Sequence, residues 1–226
     1  MLLVAIDSSG RKGSIALCRG EVDRFEVLQL TPLEGRTYSA VLVPRIAEAL
    51  ANHNVNKTDI DGFVAVSGPG SFTGLRVGLS TVKALCEVLH KPLAIVSMLE
   101  AIALTYGQEG QTVTALLDAG RGEAFAGEYH VAAGRARPLR EYIARLEVLQ
   151  ANIAALATPI LTPDAKLAEA LQADGIQVNL VGAVLADEIG RIGMRKLLAG
   201  ETVDPETTDA NYIRRSDAEI FSAPKH

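Results

Sequence analysis

Residues 67–78 read Ser67-Gly68-Pro69-Gly70-Ser71-Phe72-Thr73-Gly74-Leu75-Arg76-Val77-Gly78. The stretch follows an apolar run, Gly62 to Val66, and leads into a longer one, so it joins a buried strand to a helix over Gly74 to His90. Two readings of the turn compete. Glycine-rich backbone ahead of a helix offers free N–H groups and a favourable dipole to an anion. A phosphate loop of the Walker kind, however, places Lys and then Ser or Thr directly after its last glycine, and here Leu75-Arg76 follow Gly74. The other reading is a tight strand-to-helix turn with Ser71 or Thr73 capping the helix. It asks for nothing that is missing.

The helix that follows is unusually apolar. Arg76, Ser80, Lys83 and Glu87 form one narrow polar stripe at helical spacing. Leu75, Leu79, Val82, Cys86 and Leu89 line one flank of it, and Val77, Thr81, Ala84 and Val88 the other. A helix on a one-sided sheet needs an apolar stripe only about 100° wide. One flank covers the sheet, and the other calls for a neighbouring helix or a partner protein. The segment Thr37 to His53 supplies a second helix, with Tyr38, Val41, Leu42, Ile46, Ala49 and Leu50 in helical register. Pro44 lies inside it and predicts a later start or a bend. The expected partner interface is Tyr38, Val41, Leu42, Arg45, Leu75, Arg76, Leu79, Val82, Lys83 and Cys86. Which flank faces outward stays open at this level.

Outward from the motif, the chain opens as a meander: Leu2 to Asp7, a Ser/Gly turn, Ser14 to Cys18, a second turn at Arg19-Gly20-Glu21, and a third strand from Val22 to Leu30. Past the motif helix come a strand, Pro92 to Val96, and a helix, Leu99 to Tyr106. The polar stretch Gln108 to Gln111 marks a lobe boundary, giving lobes 1–107 and 108–226. The second half then repeats the opening. The runs Val4-Ala5-Ile6-Asp7 and Ala115-Leu116-Leu117-Asp118 each end in Asp, pass a Gly/Arg turn and return as a strand. A single repeat near 111 residues suggests two related lobes, not a solenoid. Helical segments follow at about Leu146 to Leu156, Pro163 to Gln172 and Ala183 to Leu198, with strand candidates at Pro159–Leu161 and Gln177–Leu180. From Val203 the chain reads as a polar tail, with Tyr212-Ile213-Arg214 its anchored-looking piece.

The composition agrees with a parallel-sheet α/β class. The chain has 226 residues, is 48% hydrophobic and only 4% aromatic, and lacks Trp, so its core is built from Ala, Val, Leu and Ile. A net charge of −5 argues against a free-standing polyanion binder; Arg135 to Arg140 and Arg214–Arg215 are only small basic groups. Cys18 and Cys86 make no disulfide framework and no C-x-x-C, which points to the cytosol. No apolar run is long enough to span a membrane. His53, His90, His130 and His226 stand at no metal-ligand spacing, and no Ser or Thr is identifiable beside a base. In the actin-like ATPase and sugar-kinase superfamily, two hairpins like those ending in Asp7 and Asp118 grip nucleotide phosphates and Mg²⁺ through backbone N–H groups and carboxylates. The turns here match those loops poorly, so Asp7, Ser8, Ser9, Lys12, Asp118 and Arg121 read as a degenerate phosphate loop or as plain turn residues.

Gly68 to Gly78 resembles the marker G-P-G-S-F-T-G-[LV]-R-[IV]-G of the TsaB family, also called YeaZ. Asp118-Ala119 with Gly122-Glu123 is similar to its D-A-R-x-G-E, Leu42-Val43-Pro44 to its L-[LI]-P, and Tyr212-Ile213-Arg214 to its Y-[LI]-R. Tyr38 and Gly120 stand where the family often has His and Arg. The resemblance implies an actin-like (ribonuclease-H-like) fold of two lobes, the second degenerate. It implies a non-catalytic scaffold in making threonylcarbamoyladenosine beside the anticodon of tRNA. Its partners would be a TsaD-like paralogue carrying the catalytic metal and a TsaE-like ATPase, with a homodimer when alone and tRNA met only through the complex. No cofactor is then held tightly by this chain. Two other readings are an ATP-binding enzyme of the same fold and a glycoprotease-type peptidase.

Overall fold

The computed structural model describes residues 1–21, 24–34, 38–153 and 158–209. They form two units. The first contains Met1–Ala101 and the described residues from Val184 onward; the second contains Ile102–Ala183.

The first unit holds a five-stranded sheet of β1 (Leu2–Asp7), β2 (Lys12–Gly20), β3 (Phe25–Glu34), β4 (Gly62–Gly68) and β5 (Leu93–Ser97), in the order β3-β2-β1-β4-β5. The meander β1–β2–β3 is antiparallel, whereas β1, β4 and β5 run parallel. Every residue of β1 and β4 is buried, which requires cover on both faces of the sheet. Helix α1 (Tyr38–Asn52) packs against β2 and β3, and α2 (Phe72–Leu89) against β4, β5 and α1. Pro44 sits within α1 without ending it. Both Pro44 and Ala40 are exposed, so the carbonyl left without a donor is on the solvent side. Helix α3 (Met98–Tyr106) follows β5.

The second unit repeats this plan. Strands β6 (Thr112–Gly120), β7 (Glu123–Ala132) and β8 (Arg135–Arg145) form an antiparallel meander, and β9 (Ile160–Thr162) and β10 (Asn179–Leu180) continue it in parallel. The order β8-β7-β6-β9-β10 is that of the first sheet strand for strand. The last two strands have shrunk to three and two residues. The fold is therefore the actin-like one, with a degenerate second lobe. Its core gathers Leu116, Ala126, Leu149, Leu167 and Leu171 between the sheet and helices α4 (Leu146–Ile153) and α5 (Ala165–Ala173). The residues of the expected helix beyond Ile153, and Tyr212-Ile213-Arg214, lie outside the described residues.

Two expectations need correction. The lobes are not the continuous spans 1–107 and 108–226: the division falls within α3, and the chain returns to the first unit through α6 (Ala186–Leu198). Gly190 and Gly193 of α6 lie against Ala5, Cys18 and Val64, so the helix covers one face of the first sheet. Ala186 N donates to Ser14 Oγ at 2.8 Å, and Lys196 Nζ reaches Glu100 at 2.7 Å. An amphipathic helix goes to the apolar face that lacks cover, not to its neighbours in sequence. The second correction is β8, which the sequence did not announce. It is an edge strand with little apolar alternation, although the repeat itself calls for a third strand there.

Candidate partner-pairing face and the hairpin behind it

The motif turn is a capped strand-to-helix junction. Ser71 is the N-cap of α2, its Oγ accepting from Gly74 N at 3.3 Å. Its neighbour across the turn is the β1–β2 hairpin. Ser71 N donates to Ser9 O at 2.6 Å, and Ser8 Oγ donates to Gly74 O at 2.9 Å. The glycines of the motif follow from this contact. A Cβ on Gly74 would stand 2.1 Å from Ser8 O, one on Gly78 2.0 Å from Ser8 Oγ, and one on Gly70 2.4 Å from Ser9 O. Residues four apart share one helix face, so the motif presents bare backbone to the hairpin along one line.

The hairpin's own polar groups are turned inward. Asp7 is 3% exposed, and its Oδ1 accepts from Ser9 N at 2.8 Å and Ser9 Oγ at 2.6 Å. Burial raises the Asp7 pKa, and the two bonds from Ser9 oppose the rise. Tyr38 caps the other side of the turn, donating to Gly10 O at 2.9 Å. Burial first, and the Asp7 charge second, push its phenol up to about 12. An anion at this hairpin would want free N–H groups, but those of Ser9, Ser71 and Gly74 are already donated. Lys12 and Arg11 are exposed beside it.

In the second unit Asp118 and Arg121 share the β6–β7 turn. Asp118 Oδ1 accepts from Gly120 N at 2.8 Å, and Asp118 N donates to Asp164 Oδ2 at 2.8 Å. Arg121 adopts φ +58° between two left-handed glycines. Thus Ser8 and Ser9 are brought against the motif with Asp7 bonded behind them, while Asp118 is brought against Asp164 at the start of α5. Among the described residues no group of three or more His, Cys, Asp or Glu side chains is placed to hold a metal, and no helix is long and apolar enough to cross a membrane.

The helices α1 and α2 correct the expected interface. Tyr38, Leu42, Leu75, Leu79, Val82 and Cys86 are buried inside the first unit. They are the flank that meets the sheet and the other helix, not the flank offered outward. Arg45 and Arg76 are exposed, Arg45 pairing with Glu48 and Arg76 lying over the Phe72 ring. Val41 and Lys83 are half-buried, and Lys83 Nζ donates to the carbonyls of Glu206 and Thr208. The apolar surface that remains outward is the other flank. Val43 of α1 is 53% exposed and Val88 of α2 is 73% exposed, with Ala40, Ala47 and Ala84 exposed in the same helical registers.

A family model described as "TsaD: tRNA N6-adenosine threonylcarbamoyltransferase" matches residues 32–187. The tRNA threonylcarbamoyladenosine biosynthesis protein TsaB of Bacillus subtilis (strain 168) is 31% identical over 129 residues, 57% of this chain and 55% of that protein. The chain belongs to the TsaD family, and over about half of its length it is similar to TsaB proteins. The TsaB of Haemophilus influenzae is 32% identical over 127 residues, 55% of this chain and 52% of that one. The chain thus spans about half the length of the curated TsaB relatives it matches. A tRNA N6-adenosine threonylcarbamoyltransferase of Rhizobium etli (strain CIAT 652) is 44% identical over 73 residues, 32% of this chain and 20% of the transferase. The solved structure of YeaZ from Pseudomonas aeruginosa shares the fold, with TM-score 0.72 at 22% identity over 92% of this chain and 98% of that one.

Proposed function

We propose that this chain is a non-catalytic subunit that pairs with a TsaD-type transferase in the threonylcarbamoylation of adenosine in tRNA, in the cytoplasm. The observation that carries the reading is the outward flank of α1 and α2. Val43 and Val88 are open to water on helices whose opposite flanks are already buried. A stable interface takes roughly 800 Å² per side, an area two helix faces can supply. The same face serves a second copy of the chain when the transferase is absent. The inward-turned hairpin at Asp7 supports a scaffold over a nucleotide enzyme, since the Ser9 N–H is spent on Asp7 and the Ser71 N–H of the motif on Ser9 O. ATP, Mg²⁺ and the catalytic metal then belong to the partner subunits, including a TsaE-type ATPase. The test is to deplete the protein and measure threonylcarbamoyladenosine in total tRNA. The level should fall; an unchanged level in cells with no second homologue would overturn the reading.

A further inference from the structure

From Val203 the sequence reads as a polar tail, yet the first residues of that tail are fastened. After α6 the chain crosses to the edge strand β5, where Val203 N donates to Leu93 O at 2.9 Å. Asp204 then organises a turn. Its Oδ1 accepts from Glu206 N at 2.9 Å and its Oδ2 from Thr207 Oγ1 at 3.3 Å, while its carbonyl accepts from Thr208 N at 3.0 Å. The turn aims the carbonyls of Glu206 and Thr208 at Lys83 of α2, whose Nζ donates to them at 3.3 and 2.8 Å. Residues 203–208 are thus a strap anchored at one end on β5 and at the other on α2, all within the first unit.

The anchor on α2 borders the outward face. Side chains four apart form ridges along a helix, and a second helix packs by laying its own ridge in a groove between two of them. On α2 the ridge Arg76, Ser80, Ala84 and Val88 is exposed at every position. The adjoining ridge runs through Leu79, Lys83 and Glu87, which are buried, half-buried and exposed in turn. A helix seated in the groove between these two ridges excludes water from the Lys83 ammonium. In water that ammonium exchanges a carbonyl for solvent at little cost, whereas in a drier setting the same hydrogen bonds are stronger.

We propose that the strap is a latch coupled to pairing. A partner helix docked along the Arg76–Val88 ridge tightens the bonds from Lys83 and holds the strap shut, and the shut strap in turn favours docking. The inference rests on the function proposed above, the docked helix being that of the transferase partner. The coupling is reciprocal, because a ligand that favours one state of an element is itself favoured by that state. Lys83 is then a positioning residue.

The test is amide hydrogen exchange of the full chain, alone and paired with its transferase partner, together with the pairing affinity. The amides of Val203, Glu206 and Thr208 report opening of the strap. Pairing should slow their exchange roughly tenfold. Lys83→Met keeps the aliphatic stem and removes the donor; it should abolish the slowing and weaken pairing by up to the same factor. Asp204→Ala loosens the turn from the strap side, leaves α2 unaltered and should act alike. Exchange in β1 and β4 should be unchanged in both variants, which separates opening of the strap from unfolding. If the native chain pairs and its strap amides exchange equally fast alone and paired, the latch is wrong and the function stands. If Lys83→Met weakens pairing and Asp204→Ala does not, Lys83 is a direct contact and the latch is wrong. A native chain that does not pair with the transferase overturns both.

Discussion

Gly78→Ala tests whether the motif is a docking key between α2 and the first hairpin. The added Cβ would stand 2.0 Å from Ser8 Oγ and 3.1 Å from Ser8 Cβ, with nothing else within 4 Å. Ser8 is buried, and its hydroxyl is bonded to Gly74 O. To admit the methyl group, either α2 lifts from the hairpin or the Ser8 hydroxyl swings away from its acceptor. Overpacking costs about 1–3 kcal/mol, and a buried hydroxyl left unbonded about 1–3 kcal/mol. Against this, Ala is favoured over Gly inside a helix by about 1 kcal/mol. The net expectation is a loss of up to about 2 kcal/mol in the Ser8 background. In the Ser8→Gly background both atoms that the methyl would meet are gone, so Gly78→Ala should become neutral or stabilising by up to about 1 kcal/mol. Ser8→Ala keeps the Cβ and should fall between. The assay is a double-mutant cycle in denaturant unfolding of the full chain. A coupling energy below about 0.5 kcal/mol, the level of independent sites, would refute the docking role and leave the three glycines without a physical account.

The remaining predictions concern the outward face and the buried acid. Val88→Asp should abolish co-elution with the transferase partner while leaving the unfolding midpoint of the isolated chain unchanged, because Val88 is 73% exposed. Leu79→Asp should instead unfold the first unit, since a charge at a position 4% exposed costs several kcal/mol; a Val88→Asp chain that still pairs would remove the face from consideration. Asp7→Asn keeps an oxygen acceptor for Ser9 but removes the charge. The Asp7 pKa is raised in the folded chain, so the folded state holds more protons than the unfolded one between the ordinary carboxylate range and that raised value. Native Asp7 therefore contributes its stability at the acid end and loses it as pH rises through the window. The stability of the native chain minus that of Asp7→Asn should fall from pH 4 to pH 7, measured by unfolding midpoints; a difference that grows with pH would contradict the burial argument.

Much of the first unit was legible from local chemistry. Strand, capped turn and helix around Gly68 to Gly78 follow from an apolar run, a Ser71 or Thr73 cap and a glycine-rich junction, and the structure gives the cap to Ser71. The halves beginning at Leu2 and Thr112 revealed their kinship because both must end an apolar strand in Asp and turn back at once. What resisted reading was everything that depends on a distant neighbour. Hydrophobic periodicity gives the angle of Leu79 and Val88 around the axis of α2, but not which of those angles meets the sheet. Six of the ten residues expected at the interface, Tyr38, Leu42, Leu75, Leu79, Val82 and Cys86, therefore lie on the flank that the fold consumes.

The sequence by itself determined that this chain has an over-apolar helix behind a glycine-rich junction, two related hairpins and no assembled metal-ligand spacing. These are properties of residues close along the chain, where backbone sterics and helical or strand periods decide. Only the tertiary structure decided that Ser8 and Ser9 fill the space the glycines leave, that α6 returns to cover the first sheet, and that Val43 and Val88 are the large apolar residues of α1 and α2 left facing water. Each of these is a contact, or the lack of one, between segments far apart in sequence. It depends on which apolar faces find cover once the whole chain has collapsed.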